Sequence, residues 1–431
     1  MPMLVRTRLS VMMLLFYASL GSWAVTAATY FKTPVSEGGL ELTNWQTGLL
    51  YSTFAIGGLL ALPLVGLLAD RLFRAERVFA IAAVVCAGIL FATSAWCHHA
   101  QLTLADESAA ESIKPLVFPV LFVLLLVYSF FLQIGLPLAT VLCLRNLPDP
   151  SHQFSRTRLW GTVGWIVVGV LMPNLVVVLS SQQFFLAGCL ALVCGVYSWW
   201  LPPTRPKGQG RTLGEAFGLP ALALLKERSF AVYLLVGFVL SVTNQFYGVY
   251  GHPFLTSRHF EHAERWMTVG QVVEVGCMFV IPLLRPAHNM KWLMLAGAVG
   301  GALRGFALAY GPDWLLIGLG VPMHGWQFAF YFVVAATYID RQAPSHLRSS
   351  TQAIAAFVGG GLGPLVGNQF AVAVLPHGQV IADTEWTTFW LYPMGLCAVA
   401  SLVFLVGFRT PEVAGVAREE FVETEIPVAQ A

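Results

Sequence analysis

Twelve stretches of mainly apolar residues recur along the chain, each near the ~20 residues that one helix needs to cross a bilayer. They run over roughly 9–30, 44–69, 77–97, 115–144, 157–180, 182–201, 230–253, 266–285, 290–310, 313–339, 349–375 and 386–408. In hydrocarbon a backbone has to satisfy its own hydrogen bonds, so runs of this length are helices there. Composition points the same way. The chain has 431 residues, of which 57% are apolar and only 11% charged, against roughly 25% charged in an ordinary soluble domain. Its mean hydropathy is +0.71. The expected fold class is an all-α polytopic membrane protein.

Several other classes fall at this step. A net charge of +2 with scattered basic residues does not suit a nucleic-acid binder. Seven cysteines form no disulfide framework, and six of them sit in apolar runs, where a thiol behaves as a small hydrophobe. Cys97-His98-His99 and the pair His259 and His262 lack the further ligands that a metal site requires. No metal and no cofactor is expected. Arg6 and Arg8, followed by an apolar run ending in Thr26-Ala27-Ala28, imitate a signal peptide. Eleven comparable stretches follow, so the first is read as a retained span.

Basic residues orient the spans. With the N-terminus in the cytoplasm, nineteen of the 24 Lys and Arg fall in inside segments. Outside segments hold Lys32, Lys114, Arg258 and Arg265, and Arg304 lies within the ninth span. Both termini are therefore expected in the cytoplasm. The longer connections are a polar loop at 98–114, a basic linker at 202–229 and an acidic tail at 409–431. They divide the chain into a six-span half (1–201), a cytoplasmic linker (202–229), a second six-span half (230–408) and a cytoplasmic tail (409–431). Paired halves around a midplane cavity are a common transporter plan. Gly66-Leu67-Leu68-Ala69-Asp70-Arg71 between spans two and three resembles the Gly-x-x-x-Asp-Arg loop of the major facilitator superfamily, which assigns Gly66, Asp70 and Arg71 to gating and packing.

Polar residues inside spans carry the functional information, because a charge at mid-bilayer costs about 2.5–3.5 kcal/mol even on a lenient scale. Glu274 is the one acid placed well inside a span, with Gln271 on the same helix face at i−3. In a poorly hydrated cavity such an acid is a candidate for proton exchange. The alternative is a structural ion pair with Arg158 or Arg304. Further stripes are Ser19, Ser22, Trp23 and Thr26; Gln133, Pro137 and Thr140; Arg158, Thr162 and Trp165; Ser241, Asn244, Tyr247 and Gly248; and His324, Gln327 and Tyr331. Each alone also fits helix–helix hydrogen bonding. Together they outline a hydrated cavity with amides, hydroxyls and two indoles. It has too few basic groups for phosphorylated anions and too few acids for polycations. Neutral polyhydroxylated ring compounds, sugars or nucleosides, suit it.

From about residue 12 to 408 the chain resembles the nucleoside:proton symporter family of the major facilitator superfamily. The resemblance rests on Leu20-Gly21-Ser22-Trp23, Tyr51-Ser52-Thr53, the Pro63 to Asp70 stretch, Arg158-Leu159-Trp160-Gly161-Thr162-Val163-Gly164, Thr243-Asn244-Gln245-Phe246, Gln271-Val272-Val273-Glu274 and Arg348-Ser349-Ser350-Thr351-Gln352. It implies twelve transmembrane helices in the major facilitator fold, and nucleoside-contacting or proton-linked roles for Arg158, Thr162, Asn244, Gln271 and Glu274. It also shows departures. Ser241 stands where the family has Gln, Trp165 where it has Phe, and Ala329 where it has an Asp.

The expected function is proton-driven uptake of nucleosides by alternating access across a bacterial inner membrane, without enzymatic chemistry and as a monomer in lipid. Glu274 exchanges the proton. Trp23, Thr140, Arg158, Thr162, Trp165, Ser241, Asn244, Gln271 and Gln327 form the substrate site. A sugar:proton symporter and a non-transporting ligand sensor on the same scaffold are the alternatives.

Overall fold

A computed structural model describes residues 2–67, 73–206, 213–284, 286–342, 347–375 and 382–409. Among them there is no strand, and the described parts of the apolar stretches are mainly helical. The first group comprises α1 (Pro2–Ala24), α2 (Ala27–Lys32), α3 (Asn44–Leu67), α4 (Ala75–Ala105), α5 (Glu107–Asn146), α6 (Pro150–Leu175) and α7 (Gln182–Ser198). A short α8 (Leu213–Ala216) follows. The second group comprises α9 (Arg228–Ser257), α10 (Ala263–Val280), α11 (Pro286–Tyr310), α12 (Asp313–Leu315), α13 (Pro322–Gln327), α14 (Val334–Gln342), α15 (Arg348–Ala356), α16 (Gly363–Val374) and α17 (Asp383–Gly407). Among the described residues, eight helical stretches are long and apolar enough to cross a membrane on their own, and Gln182–Ser198 is a shorter apolar one. Large side chains such as Leu402, Val193 and Val123 are exposed on these helices. That exposure is unfavourable in water and ordinary against lipid.

Packing follows the chain. In the first group α1 lies against α6 and α7, α4 against α5 and α7, and α3 against α5; in the second, α9 lies against α16 and α17, α11 against α17, and α10 against α13. The groups meet through α3 with α16 and α6 with α10. Two glycines permit the closest helix approaches. A Cβ on Gly164 would collide with the Leu14 carbonyl of α1, and one on Gly325 with the Gly270 carbonyl and the Glu274 backbone of α10.

Some boundaries differ from expectation. The first span is interrupted at Val25 and Thr26, where the Thr26 N–H bonds the Trp23 carbonyl and the Thr26 hydroxyl donates to Gln183 Oε1 at 2.6 Å. The expected polar loop at 98–114 is mostly helix. α4 continues to Ala105, and Asp106 alone separates it from α5. Asp106 caps α5 by accepting from the Ser108 N–H at 3.0 Å and the Ser108 hydroxyl at 2.7 Å. These bonds favour the carboxylate and hold it below its ordinary pKa. The stretch between the two groups holds α8 and a 3₁₀ turn, Leu219–Lys226. Gly218 precedes that turn at φ +74°, where a Cβ would meet the Ile354 N–H. Three π-helical stretches, Leu316–Gly320, Phe328–Val333 and Phe357–Leu362, interrupt what sequence alone reads as regular helix. Asp70, Arg71 and the tail beyond Arg409 lie outside the described residues. Gly66 sits in the last turn of α3.

Candidate functional site

A cavity of about 310 Å³ lies between the two groups of helices. The first group contributes Val25 just beyond α1, Tyr51 and Phe54 of α3, and Trp165 of α6; the second contributes Gln245 and Tyr247 of α9, Gln271 of α10, His324 of α13, and Gly360 and Pro364. Trp165 lies over Gly21, where a side chain would meet the indole at 3.1 Å. The Gln271 Oε1 is buried without a hydrogen-bond partner. An unpaired buried carbonyl costs free energy, which a hydrogen-bond donor reaching it would offset. Gln271 also borders a small adjoining recess with Trp165, Thr26 and Glu264.

Glu274 follows Gln271 by one turn of α10. Its carboxyl makes no hydrogen bond or ion pair among the described residues, yet it feels the charge of Arg158 on α6. Arg158 rests on the Tyr17 ring, 4.1 Å from its centroid, and Tyr17 in turn lies within the fields of both Arg158 and Glu274. An acid on one group of helices thus faces a base on the other without a direct bond. The expected alternative, an ion pair between Glu274 and Arg158 or Arg304, does not form among the described residues.

Arg304 is 2% exposed. One Nη donates to Asn244 Oδ1 at 2.9 Å and to His324 Nδ1 at 3.2 Å, and the guanidinium lies 5.3 Å from the centre of the Tyr247 ring. Asn244 is therefore occupied by Arg304 and stands just behind the cavity wall. His324 stacks on Tyr247 with centroids 4.9 Å apart.

Other expected residues lie elsewhere. Trp23 is 1% exposed and belongs to an aromatic core with Phe54, Tyr128 and Phe184, its Nε1 at 3.4 Å from the Tyr128 hydroxyl. It does not line the cavity. Gln327 is also buried away from it. A Cβ on Gly301 would meet the Gln327 amide and Cys397, and both amide atoms of Gln327 lack partners. Ser241 packs under Gly359 and Gly363 at the contact of α9 with the 357–374 stretch. Thr162 is buried and Thr140 half-buried, and neither is among the cavity-lining residues. Tyr331 bonds the Tyr233 carbonyl at 2.8 Å, as helix–helix packing requires. Ala329 is fully buried in the Phe328–Val333 stretch.

Sequence reasoning missed Tyr51, Phe54, Gln245 and Met267 on the wall, since nothing in a period of 3.6 separates a lining aromatic from a core one. It also missed a second acid. Glu264 lies in the first turn of α10 and is 6% exposed; Oε2 meets His252 Nε2 at 3.2 Å and Oε1 meets His262 Nδ1 at 3.4 Å. His252 Nδ1 reaches across to the Thr29 hydroxyl of α2 at 2.6 Å. Arg265 donates to the Val170 carbonyl and Asn174 of α6, and Gln369 donates to Ser52 of α3. The bonds of His252 to Thr29, of Arg265 to α6 and of Gln369 to Ser52 join the two groups on the side remote from the start of α1.

A family model described as a nucleoside H+ symporter matches residues 3–413. Among curated proteins, the chain is 28% identical to a putative nucleoside transporter, YegT, of Escherichia coli K12, over 93% of each. It is 28% identical to the xanthosine permease of the same organism, over 94% of this chain and 96% of that one. Among solved structures, a mutant form of the nucleoside transporter NupG matches with a TM-score of 0.79 at 22% identity, covering 94% of this chain and all of that one. The xylose transporter XylE from E. coli matches at 0.67 and 14% identity, over 95% of this chain and 97% of that one.

Proposed function

Since the chain belongs to the nucleoside H+ symporter family, we infer that it takes up nucleosides together with protons, and we propose how its residues do so. The fold is that of the major facilitator transporters. The protein is a carrier and not an enzyme. The observation that carries the assignment of roles is the arrangement on α10 and α6: Gln271 and Trp165 face one cavity, and the unbonded Glu274 lies one turn further along, under the influence of Arg158.

The base stacks on Trp165, and ribose and base edges bond Gln271 and Gln245. An aromatic face recognises any base, while the amides supply orientation. Arg158 and Thr162 of α6 and Asn244 of α9 shape the site from behind the wall. Ser241, Thr140 and Gln327 are retained only as packing residues near it. Glu274 takes up a proton when the cavity faces outward. Neutralising it lowers the cost of enclosing the site, because a lone carboxylate in a closed cavity is strongly disfavoured. The two groups of helices then rock about the cavity, and the proton leaves with the substrate on the other side.

With both termini in the cytoplasm of a bacterium, the side remote from the start of α1 is the outer one. The bonds Thr29–His252, Arg265–Asn174 and Gln369–Ser52 then close the outer face, and this conformation is the inward-facing or occluded one. The basic loops and the stretch at 202–229 lie inside, and a monomer in lipid suffices for the cycle.

Proteoliposomes containing Glu274→Gln provide the test. The variant is expected to exchange labelled uridine across the membrane while failing to concentrate it when a proton gradient is imposed. Full gradient-driven accumulation by the variant would remove Glu274 from the coupling.

A further inference from the structure

Most polar groups on the cavity wall can present either a donor or an acceptor to a ligand. The amides of Gln245 and Gln271 do so by turning half a revolution, and the Tyr247 hydroxyl, buried and without a partner, does so by rotating its proton. The Tyr51 hydroxyl is committed to the backbone, donating to the Ala24 carbonyl at 2.7 Å and accepting from the Ala28 N–H at 3.1 Å. His324 differs from all of them. Its Nδ1 lies 3.2 Å from an Arg304 Nη. A guanidinium has only donors, so Nδ1 must be the acceptor and the ring must carry its single proton on Nε2. A second proton on Nδ1 would face the Arg304 cation at hydrogen-bond distance. Stacking on Tyr247 and the bond from Arg304 both restrain the ring from flipping.

The Nε2 makes no hydrogen bond, is not among the fully buried unpaired atoms, and belongs to a residue of the cavity wall. It is therefore an N–H donor open to the cavity. Arg304 adds a positive field behind it, with no carboxylate bonded to the guanidinium among the described residues.

We infer that Arg304 holds His324 as a fixed donor that selects nucleosides presenting an oxo group on the base, the 6-oxopurines and 4-oxopyrimidines, over their amino counterparts. This rests on the nucleoside reading above. A carbonyl oxygen completes the hydrogen bond and lies favourably in the field of Arg304. An exocyclic amino group at the same place sets donor against donor and leaves both unpaired. The two amides of the wall do not discriminate, because each can turn to suit either edge.

The test is competition against labelled uridine uptake by the full-length protein in proteoliposomes, comparing inosine with adenosine and uridine with cytidine. The expected result is about tenfold tighter inhibition by the oxo member of each pair, the effect of one good hydrogen bond. Arg304→Met frees Nδ1 and is expected to bring each pair within about twofold. Because a change at a buried cation can unfold the protein, the wild type is also examined by nitrogen NMR with labelled histidine. His324 is expected to show an unprotonated Nδ1 and a protonated Nε2. Equal inhibition within both pairs, or a protonated Nδ1, overturns the selection by His324 while uridine uptake still stands. If no nucleoside competes or is carried, the nucleoside reading falls and this inference with it.

Discussion

The two walls of the central cavity differ in chemistry. The first group of helices contributes Tyr51, Phe54, Trp165 and small residues, with the one hydroxyl among them bonded to backbone. The second contributes Gln245, Gln271, Tyr247 and His324, and behind them Asn244 and Arg304. The helices differ as well. The three π-helical stretches among the described residues are in the second group, and Gly360 of one of them lines the cavity. A π stretch leaves backbone geometry that is less regular and more easily rearranged. In our account the first wall supplies ring faces and shape, while the second supplies direction, the proton site and the movable parts.

That contrast can be broken at several points. The largest effect is expected from Gly325→Ala. The added methyl has no room against the Gly270 carbonyl and the Glu274 backbone, so α13 must move off α10. Overpacking of this kind costs about 1–3 kcal/mol. Thermal inactivation in detergent should occur at lower temperature, and uptake should be lost because Gln271 and Glu274 shift with their helix. Normal uptake would mean that the second wall tolerates displacement.

Trp165→Ala should come next. Loss of one base-stacking platform weakens binding by about 1–3 kcal/mol, so the KM for uridine should rise about tenfold or more while the protein remains folded. An unchanged KM would leave the first wall without a part in binding.

Thr29→Val removes the bond from α2 to His252 and keeps His252 with Glu264. One hydrogen bond of this kind contributes about 0.5–1.5 kcal/mol. Hydrogen exchange of the α2 amides should quicken about threefold or more as this contact between the two groups opens more often. Equal exchange would show that the closure depends on Arg265 and Gln369 instead.

The smallest effect on binding belongs to Trp23→Phe. Trp23 is part of the aromatic core of the first group. Its replacement should reduce stability by about 1 kcal/mol and leave the KM for uridine within about twofold. A large rise in KM with normal stability would return Trp23 to the binding site.

The contrast between Trp23 and Trp165 also shows how far sequence reading reaches. Both are indoles on polar stripes of apolar helices, and only packing separates them. Trp23 meets Tyr128, Phe54 and Phe184, whereas Trp165 meets a glycine and then open space. The helices themselves were legible, because an apolar run of ~20 residues has few alternatives in a bilayer. Glu274 and Gln271 stood out because polar groups are expensive there, and Gln271 does lie on the cavity wall. Glu264 was not, since it lies at a helix start, where an acid in a short connection looks solvated until His252 and His262 are seen around it. Arg304 was visible as an oddity, but its partners on α9 and α13 come from distant parts of the chain. The π stretches leave no mark in a hydrophobic period.

The central claim is that substrate and proton cross together. It is tested most directly by purified protein in proteoliposomes with a pH-sensitive dye outside and no imposed gradient. Adding uridine to the outside should raise the external pH as protons enter with it, and the signal should vanish in Glu274→Gln while uridine exchange persists. Uridine entry with no change in external pH would contradict the account.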